Sequence, residues 1–394
     1  MEILIHIYQI TQFLLLIWLG YYIVYVTVLA VAGLFFKQKR TIELISNIPK
    51  IALFIPAYKE NEVILHTVEE VLKHDYDKFD VVVIADSLDI KILEKLKRLN
   101  IILIEVSFNK STKAKALNFA MDKLNEEYDL AVILDADNVM NNNALELFAI
   151  NYAEGYKAIQ GHRTAKNKST NFALLDAISE EINNHIYCKG AQMLGITSRL
   201  VGSGMAFDYV LFKKLMKGID AVGGFDKELK LKLIELGHPI YYLNEAVIYD
   251  EKVSQSKVFL NQRKRWVSSQ FYYLKKFTLR SITQLFKGNF NYFIIVAQLS
   301  FPPRLLLPII LLVLFILSNI FDNQFYTLIW GGIFSLNVLV HFISIPREFW
   351  NKNLIKAFFS LPKALIIMLS LAFKLKKAND EFIHTPHSFI KNKD

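Results

Sequence analysis

The chain has 394 residues, 53% of them apolar, and a formal net charge of +9. It is long for one domain and too apolar for an ordinary soluble protein, and its positive excess suits phosphate-bearing, nucleic-acid or anionic-lipid partners. The single cysteine, Cys188, excludes an internal disulfide framework, and no Cys/His cluster has zinc spacing.

Thirty residues, Ile7 to Phe36, pass without Asp, Glu, Lys or Arg. That exceeds the apolar region of a signal peptide and is enough to cross a bilayer. The run stops at Lys37-Gln38-Lys39-Arg40, which the positive-inside rule places in the cytoplasm. Residues 1–40 are therefore expected to form an N-terminal transmembrane helix.

From 41 to 267 charges are frequent, and short apolar runs alternate with helical patterns. Ile51–Pro56, Phe79–Ala85, Ile101–Val106 and Leu130–Asp135 read as buried strands. The segments between them carry apolar residues at helical spacing. Such alternation predicts an α/β domain with a mostly parallel sheet covered on both faces. Ligands of such sheets bind beyond the carboxyl ends of the strands, where Asp86, Asp135 and Asp137 fall.

Residues 268–304 read as basic amphipathic helices at the membrane interface. Residues 305–346 hold two apolar runs, Leu305–Phe321 and Asn323–Ile345, each just long enough to span. The link between them has no Lys or Arg, as an outside loop should. The final apolar run, Ala357–Phe373, is interrupted by Pro362 and Lys363. Residues 347–394 are expected to form an interfacial or re-entrant segment, with a third C-terminal span as the alternative, followed by a cytoplasmic tail.

The chemistry is carried by two motifs. "LAVILDADNV" ends an apolar run in Asp135 and Asp137. Two acids spaced i, i+2 on extended backbone point the same way and can share one divalent ion, Mn²⁺ or Mg²⁺. That ion would neutralise a diphosphate leaving group. A strand ending in an ordinary Asp turn is the bland alternative. The Asp-x-Asp-x-Val of dehalogenase-like phosphatases also fits, but the later acidic motif of that fold is absent. "NQRKRW" contains Gln262, Arg265 and Trp266, a Gln-x-x-Arg-Trp. Arginine can clamp a diphosphate bidentately and tryptophan offers a face for a sugar ring.

Together with the flanking apolar segments, these motifs resemble the membrane-embedded family-2 glycosyltransferases, which include processive synthases of cellulose, chitin, hyaluronan and poly-N-acetylglucosamine. The resemblance covers roughly Ile51 to Gln270 and implies an α/β GT-A fold binding a nucleotide sugar, with inversion at the anomeric carbon. It implies donor contacts from Pro56, Ala57, Tyr58, Glu60, Asp86, Lys113, Asp135, Ala136, Asp137 and Arg265. Acceptor contacts are implied for Gly202, Ser203, Gly204, Gln262 and Trp266. Thr112 replaces a glycine usual before Lys113.

Inversion requires one general base. Register with the family's Glu-Asp segment puts it on Glu228, with Lys227 where the preceding Glu would stand and Asp226 in reserve. By the same resemblance, His384, Thr385 and His387 near the C-terminus would form a strip that closes over the donor diphosphate, with an unstructured tail as the alternative. His162 reads as structural. The resemblance implies a UDP-sugar donor by default and a glycan or lipid-linked acceptor at the cytoplasmic face of the inner membrane. It also implies partner proteins of envelope biosynthesis, and no nucleic acid. Processive synthesis and single addition to a glycolipid both remain open, and a non-catalytic, transferase-like partner subunit is the rival of a different class. So few spans leave no room for a transporter's repeated halves.

Overall fold

The computed structural model describes residues 2–38, 48–124, 127–221, 223–253, 256–321 and 323–372. Its centre is an eight-stranded mixed sheet. The strands are β1 (Ile51–Tyr58), β2 (Phe79–Asp86), β3 (Ile102–Val106), β4 (Leu130–Ile133), β5 (Val139–Met140), β6 (Ala158–Ala165), β7 (Met205–Asp208) and β8 (Tyr241–Asp250). They lie in the order β3-β2-β1-β4-β7-β6-β8-β5. β1, β2, β3 and β4 run parallel, β7 is antiparallel to both β4 and β6, and β8 is parallel to β6.

The four apolar runs of the sequence are the parallel half. Their alternation splits cleanly between two cores. Ile51, Leu53 and Ile55 face one apolar cluster with Val81 and Val83, whereas Ala52 and Phe54 face the other with Val82 and Ile84. Both faces are covered, so these strands are apolar throughout rather than alternately polar.

Helices α1 (Glu2–Leu34), α2 (Ile64–Val71), α3 (Ile90–Leu96), α4 (Lys113–Lys123), α5 (Ala144–Ala153) and α6 (Asn171–Asn184) come first. A π-helical turn, His185–Gly190, then leads into the short α7 (Ala191–Met193). α8 (Tyr209–Met216), α9 (Phe225–Glu235), α10 (Ser256–Phe286), α11 (Phe290–Gln298), α12 (Leu307–Ile320), α13 (Gln324–Ile343) and α14 (Lys352–Ala372) complete the chain. Thr112 is the N-cap of α4, and its hydroxyl accepts from the Lys115 N–H at 3.2 Å. That contact gives a local reason for threonine where glycine was expected.

Among the described residues, two helices are long and apolar enough to cross a membrane, Ile5–Leu34 within α1 and Gln324–Ile343. The segment Leu305–Phe321 falls short of its expected span. The helix there has 14 residues, about 21 Å at 1.5 Å per residue, against a hydrocarbon core of about 30 Å. Pro308 sits in its first turn, where a proline is tolerated, and would clash with the preceding turn if the helix began much earlier. The expected division at 267/268 falls inside α10, a continuous helix of 31 residues. That helix is not a free amphipathic surface, because Tyr273 and Phe277 pack with Leu231 of α9 and with Tyr292 and Ile295 of α11. α14 continues through Pro362 and lies along α6 and α10. The tail with His384, Thr385 and His387 lies outside the described residues.

Candidate active site

The carboxyl ends of β1, β2 and β4 open onto a cleft of about 600 Å³. Its lining includes all ten residues expected to contact a donor: Pro56, Ala57, Tyr58, Glu60, Asp86, Lys113, Asp135, Ala136, Asp137 and Arg265. Two backbone features at its edge were not legible in the sequence. Lys59 and Ser87, each one residue past the end of its strand, take positive φ of 57° and 59°. Side-chain-bearing residues rarely adopt that conformation, and here it turns two adjacent strands away together, with the Lys59 N–H donating to the Asp86 carbonyl at 3.0 Å.

The acidic couplet is not on extended strand, as its spacing suggested. β4 ends at Ile133, and Asp135–Asp137 form a turn closed by the Asn138 N–H donating to the Asp135 carbonyl at 3.1 Å. The turn is held from both sides. The Ser203 hydroxyl accepts from the Asp135 N–H at 2.9 Å, and the Thr67 hydroxyl donates to the Ala136 carbonyl at 2.6 Å. Lys113 supplies the positive partner of Asp135, and its ammonium also donates to the Gly202 carbonyl at 2.6 Å.

Among the described residues, no group of three or more His, Cys, Asp or Glu side chains could form an all-protein metal cage. Two carboxylates are nonetheless the donor set that suits Mg²⁺ or Mn²⁺ when phosphates complete the coordination. Asp135 and Asp137 fit that requirement.

On the acceptor side Gly202, Gln262 and Trp266 line the cleft. Ser203 and Gly204 do not. Ser203 is fully buried beneath the acidic turn, so it holds Asp135 rather than facing a ligand. Gly204 (φ 61°) lies against β8, where a Cβ would come within 2.5 Å of Ile248. Trp266 carries the Arg263 guanidinium 4.2 Å over its ring, a cation–π contact on one face.

The residue expected as the base does not reach the cleft. Glu228 is 4% exposed and absent from the lining; its carboxylate accepts from Lys276 at 2.7 Å, with Lys232 at 3.8 Å. Two residues earlier, Asp226 does line the cleft, and its carboxylate has no hydrogen bond or ion pair among the described residues. The reason is helical phase. α9 starts after Gly224, whose φ of 68° turns the chain, and places Asp226, Lys227 and Lys230 toward the cleft with Glu228 rotated away.

Sequence reasoning missed a buried charge cluster between β6, β8 and α6. Arg163 lies 3.0 Å from Glu180 and 3.9 Å from Asp250. Lys252 lies 2.5 Å from Glu180 and 2.6 Å from Asp250. Burial acts to raise the Glu180 pKa, but Arg163 and Lys252 overcome it and hold the carboxyl well below its usual value. Burial likewise acts to lower Lys252, and Asp250 and Glu180 hold it up. All four residues line the cleft and give it a rigid charged wall. Polar side chains within otherwise apolar stretches, as in "AIQGHRTA", are the only sequence trace of it. His162 is structural, as expected: its ring meets the Tyr242 hydroxyl and, at 3.3 Å, Glu181.

Residues 49–269 match the family described as "Glycosyltransferase like family 2". The chain belongs to that family. Curated relatives are distant. A probable glycosyltransferase, YdaM, of Bacillus subtilis is 24% identical over 275 residues, 64% of this chain and 64% of that protein. A poly-β-1,6-N-acetyl-D-glucosamine synthase of Staphylococcus aureus is 25% identical over 213 residues, 52% of this chain and 49% of that protein. The chain thus spans 64% and 49% of the length of these relatives. Among solved structures, mannosyltransferase PcManGT from Pyrobaculum calidifontis, in complex with GDP-Man and Mn²⁺, aligns with a TM-score of 0.51 and 16% identity. The alignment covers 84% of this chain and 98% of that one. This likeness supports the GT-A-like α/β fold with its mixed sheet.

Proposed function

We propose that this protein is an inverting glycosyltransferase. It moves a sugar from a nucleotide-sugar donor, a UDP-sugar by default, onto the hydroxyl of a growing glycan or lipid-linked acceptor at the membrane. The observation that carries the reading is the unpartnered Asp226 carboxylate in one cleft with Asp135 and Asp137.

Asp226 takes the proton of the acceptor hydroxyl as its oxygen attacks the anomeric carbon from the face opposite the leaving group. The bond from that carbon to the diphosphate oxygen breaks, and the nucleoside diphosphate departs. Asp135 and Asp137 would hold Mn²⁺ or Mg²⁺, which supplies charge neutralisation of the leaving diphosphate. Lys113 and Arg265 add fixed positive charge beside it. PcManGT's pairing of GDP-Man with Mn²⁺ agrees with a metal-assisted donor site.

The membrane setting rests on two sequence-long apolar helices and on what they expose. Ile10, Leu14, Ile17, Val24 and Leu328 leave half or more of their surface uncovered. An apolar band of that extent suits lipid rather than water. The test is a panel of nucleotide sugars with purified protein, reading released nucleotide, followed by product length on a gel with the radiolabelled donor. One sugar should be turned over, and Asp226→Asn should abolish turnover. No release from any donor, or full activity of Asp226→Asn, overturns the reading.

A further inference from the structure

The cleft contains more cations than its carboxylates use. Lys113 is held by Asp135, and Arg163 and Lys252 by Glu180 and Asp250. Lys227 donates to the Ser269 hydroxyl at 2.7 Å. Two remain. Lys230 is 9% exposed, lines the cleft, and makes no hydrogen bond or ion pair among the described residues. Arg199 also lines the cleft and, among the described residues, donates no side-chain hydrogen bond and has its Nη1 buried without a partner. Burying such donors unsatisfied is costly, so a site that keeps two of them together is built for something that arrives later.

Their surroundings narrow what arrives. Lys230 follows Asp226 by four residues on the same face of α9, so their Cβ atoms are about 5–6 Å apart. That separation is comparable to the width of one sugar ring. Arg199 is tied to the side of the fold that packs on α1. Its N–H donates to the Tyr187 carbonyl at 3.3 Å, and the Tyr187 and Tyr22 hydroxyls meet at 2.9 Å. Tyr187 belongs to the π-helical turn, Tyr22 to α1. The turn packs so closely on α1 that a Cβ at Gly190 would lie 2.0 Å from the Leu29 carbonyl oxygen.

We propose that Arg199 and Lys230 form an anion subsite that takes the phosphate of a lipid-linked sugar acceptor. The sugar hydroxyl is presented to Asp226 and the lipid tail runs toward α1. This deepens the transferase reading and rests on it. Two cations suit a phosphate ester, and their place beside the long apolar helix favours a lipid phosphate over a soluble one.

The experiment is equilibrium binding to the detergent-solubilised full chain, which requires no turnover. Farnesyl phosphate, farnesol, inorganic phosphate and UDP with Mn²⁺ are titrated against wild type, Lys230→Met and Arg199→Gln. Farnesyl phosphate should bind wild type and lose at least tenfold in each variant, while farnesol binds weakly to all three. Lys230→Met removes an uncompensated buried charge, so it should fold. Four outcomes overturn the proposal: farnesol binding as tightly as farnesyl phosphate; neither variant weakening it; inorganic phosphate binding as tightly as farnesyl phosphate, which makes the site a free-anion site; or UDP affinity falling by the same factor, which assigns the cations to the donor. Failure here with donor turnover intact leaves the transferase reading standing, whereas the absence of donor turnover removes that reading first.

Discussion

Asp226 and Glu228 stand two residues apart on α9 and serve opposite surroundings. The first opens its carboxylate to the cleft; the second closes on Lys276 at 2.7 Å, away from it. Asp226→Asn should therefore lose transfer by roughly 10²–10⁴-fold while keeping UDP affinity, as expected when a general base is removed. Glu228→Gln should keep transfer and lower the melting temperature, because it weakens a buried charge pair. Measuring both variants for released nucleotide and for thermal unfolding separates the roles. Inactive Glu228→Gln beside active Asp226→Asn would return the base to Glu228.

Donor turnover should require a divalent cation. Asp137 is nearly buried in the turn after β4, and removing its carboxylate leaves Asp135 to share its charge with Lys113. Asp137→Ala should cut turnover at least a hundredfold at saturating Mn²⁺, and wild type should lose activity in EDTA and regain it on adding Mn²⁺ or Mg²⁺. Undiminished turnover of Asp137→Ala in EDTA would reject a metal role for the couplet.

The quartet of Arg163, Glu180, Lys252 and Asp250 should behave as one unit. Glu180→Gln leaves two buried cations facing a single carboxylate, a loss of about 3–5 kcal/mol. The pH sign follows from the depressed Glu180 pKa. Its stabilisation is fully present above the usual carboxylate value near 4.5 and is lost as pH falls through the lower folded value. Denaturant unfolding at pH 7 should show the full difference between wild type and Glu180→Gln, and the two should converge in acid.

The parallel half of the sheet was legible because buried parallel strands are continuous apolar runs, and "LAVILDADNV" and "NQRKRW" name their own chemistry. The antiparallel half was less so. β6 carries Gln160, His162 and Arg163, polar residues whose partners come from β8 and α6, and no local pattern announces them. The expected base, Glu228, lies outside the cleft lining for a related reason. "DKELKLKL" alternates like a strand but folds as a helix, so the phase that separates Asp226 from Glu228 is set by packing on α10 and not by spacing. Ser203 was recognised by its motif, but its role beneath the acidic turn is a tertiary contact.

Burial without a partner pushes the Lys230 amine down to about 7. Arg199 lowers it further, and Cys188 and Asp226 act to raise it. A lysine with a depressed folded pKa binds fewer protons folded than unfolded between about 7 and its usual 10.5, so wild-type stability should climb with pH across that window. Lys230→Met removes the penalty and should be more stable than wild type at pH 7 by about 1–4 kcal/mol. The advantage should shrink toward pH 10. Chemical denaturation at pH 7 and 10 checks this, and a variant less stable than wild type at pH 7 would show that the amine has a partner in the protein.

The two ends of α1 should lie on opposite sides of the membrane. At one end Gln38 donates to the Tyr241 hydroxyl at 2.7 Å and accepts from the Asn244 N–H at 3.0 Å, which ties it to β8 of the catalytic domain. At the other end Gln12 accepts from the Trp330 ring N–H at 2.6 Å, and the Tyr8 and Phe321 rings lie 5.0 Å apart. The connection between α12 and α13 therefore sits by the start of α1. From Tyr8 to Leu34 the helix rises about 39 Å, more than a hydrocarbon core of about 30 Å. With nucleotide sugars in the cytoplasm, the proposed donor site should lie inside and Asn323 outside. Cys188 is buried, with burial pushing its thiol up to about 11, and gives a quiet background for thiol labelling. Asn323→Cys should react with a membrane-impermeant maleimide on intact cells, and Lys37→Cys only after lysis. The opposite pattern would invert the topology, and labelling of both on intact cells would deny that α1 crosses.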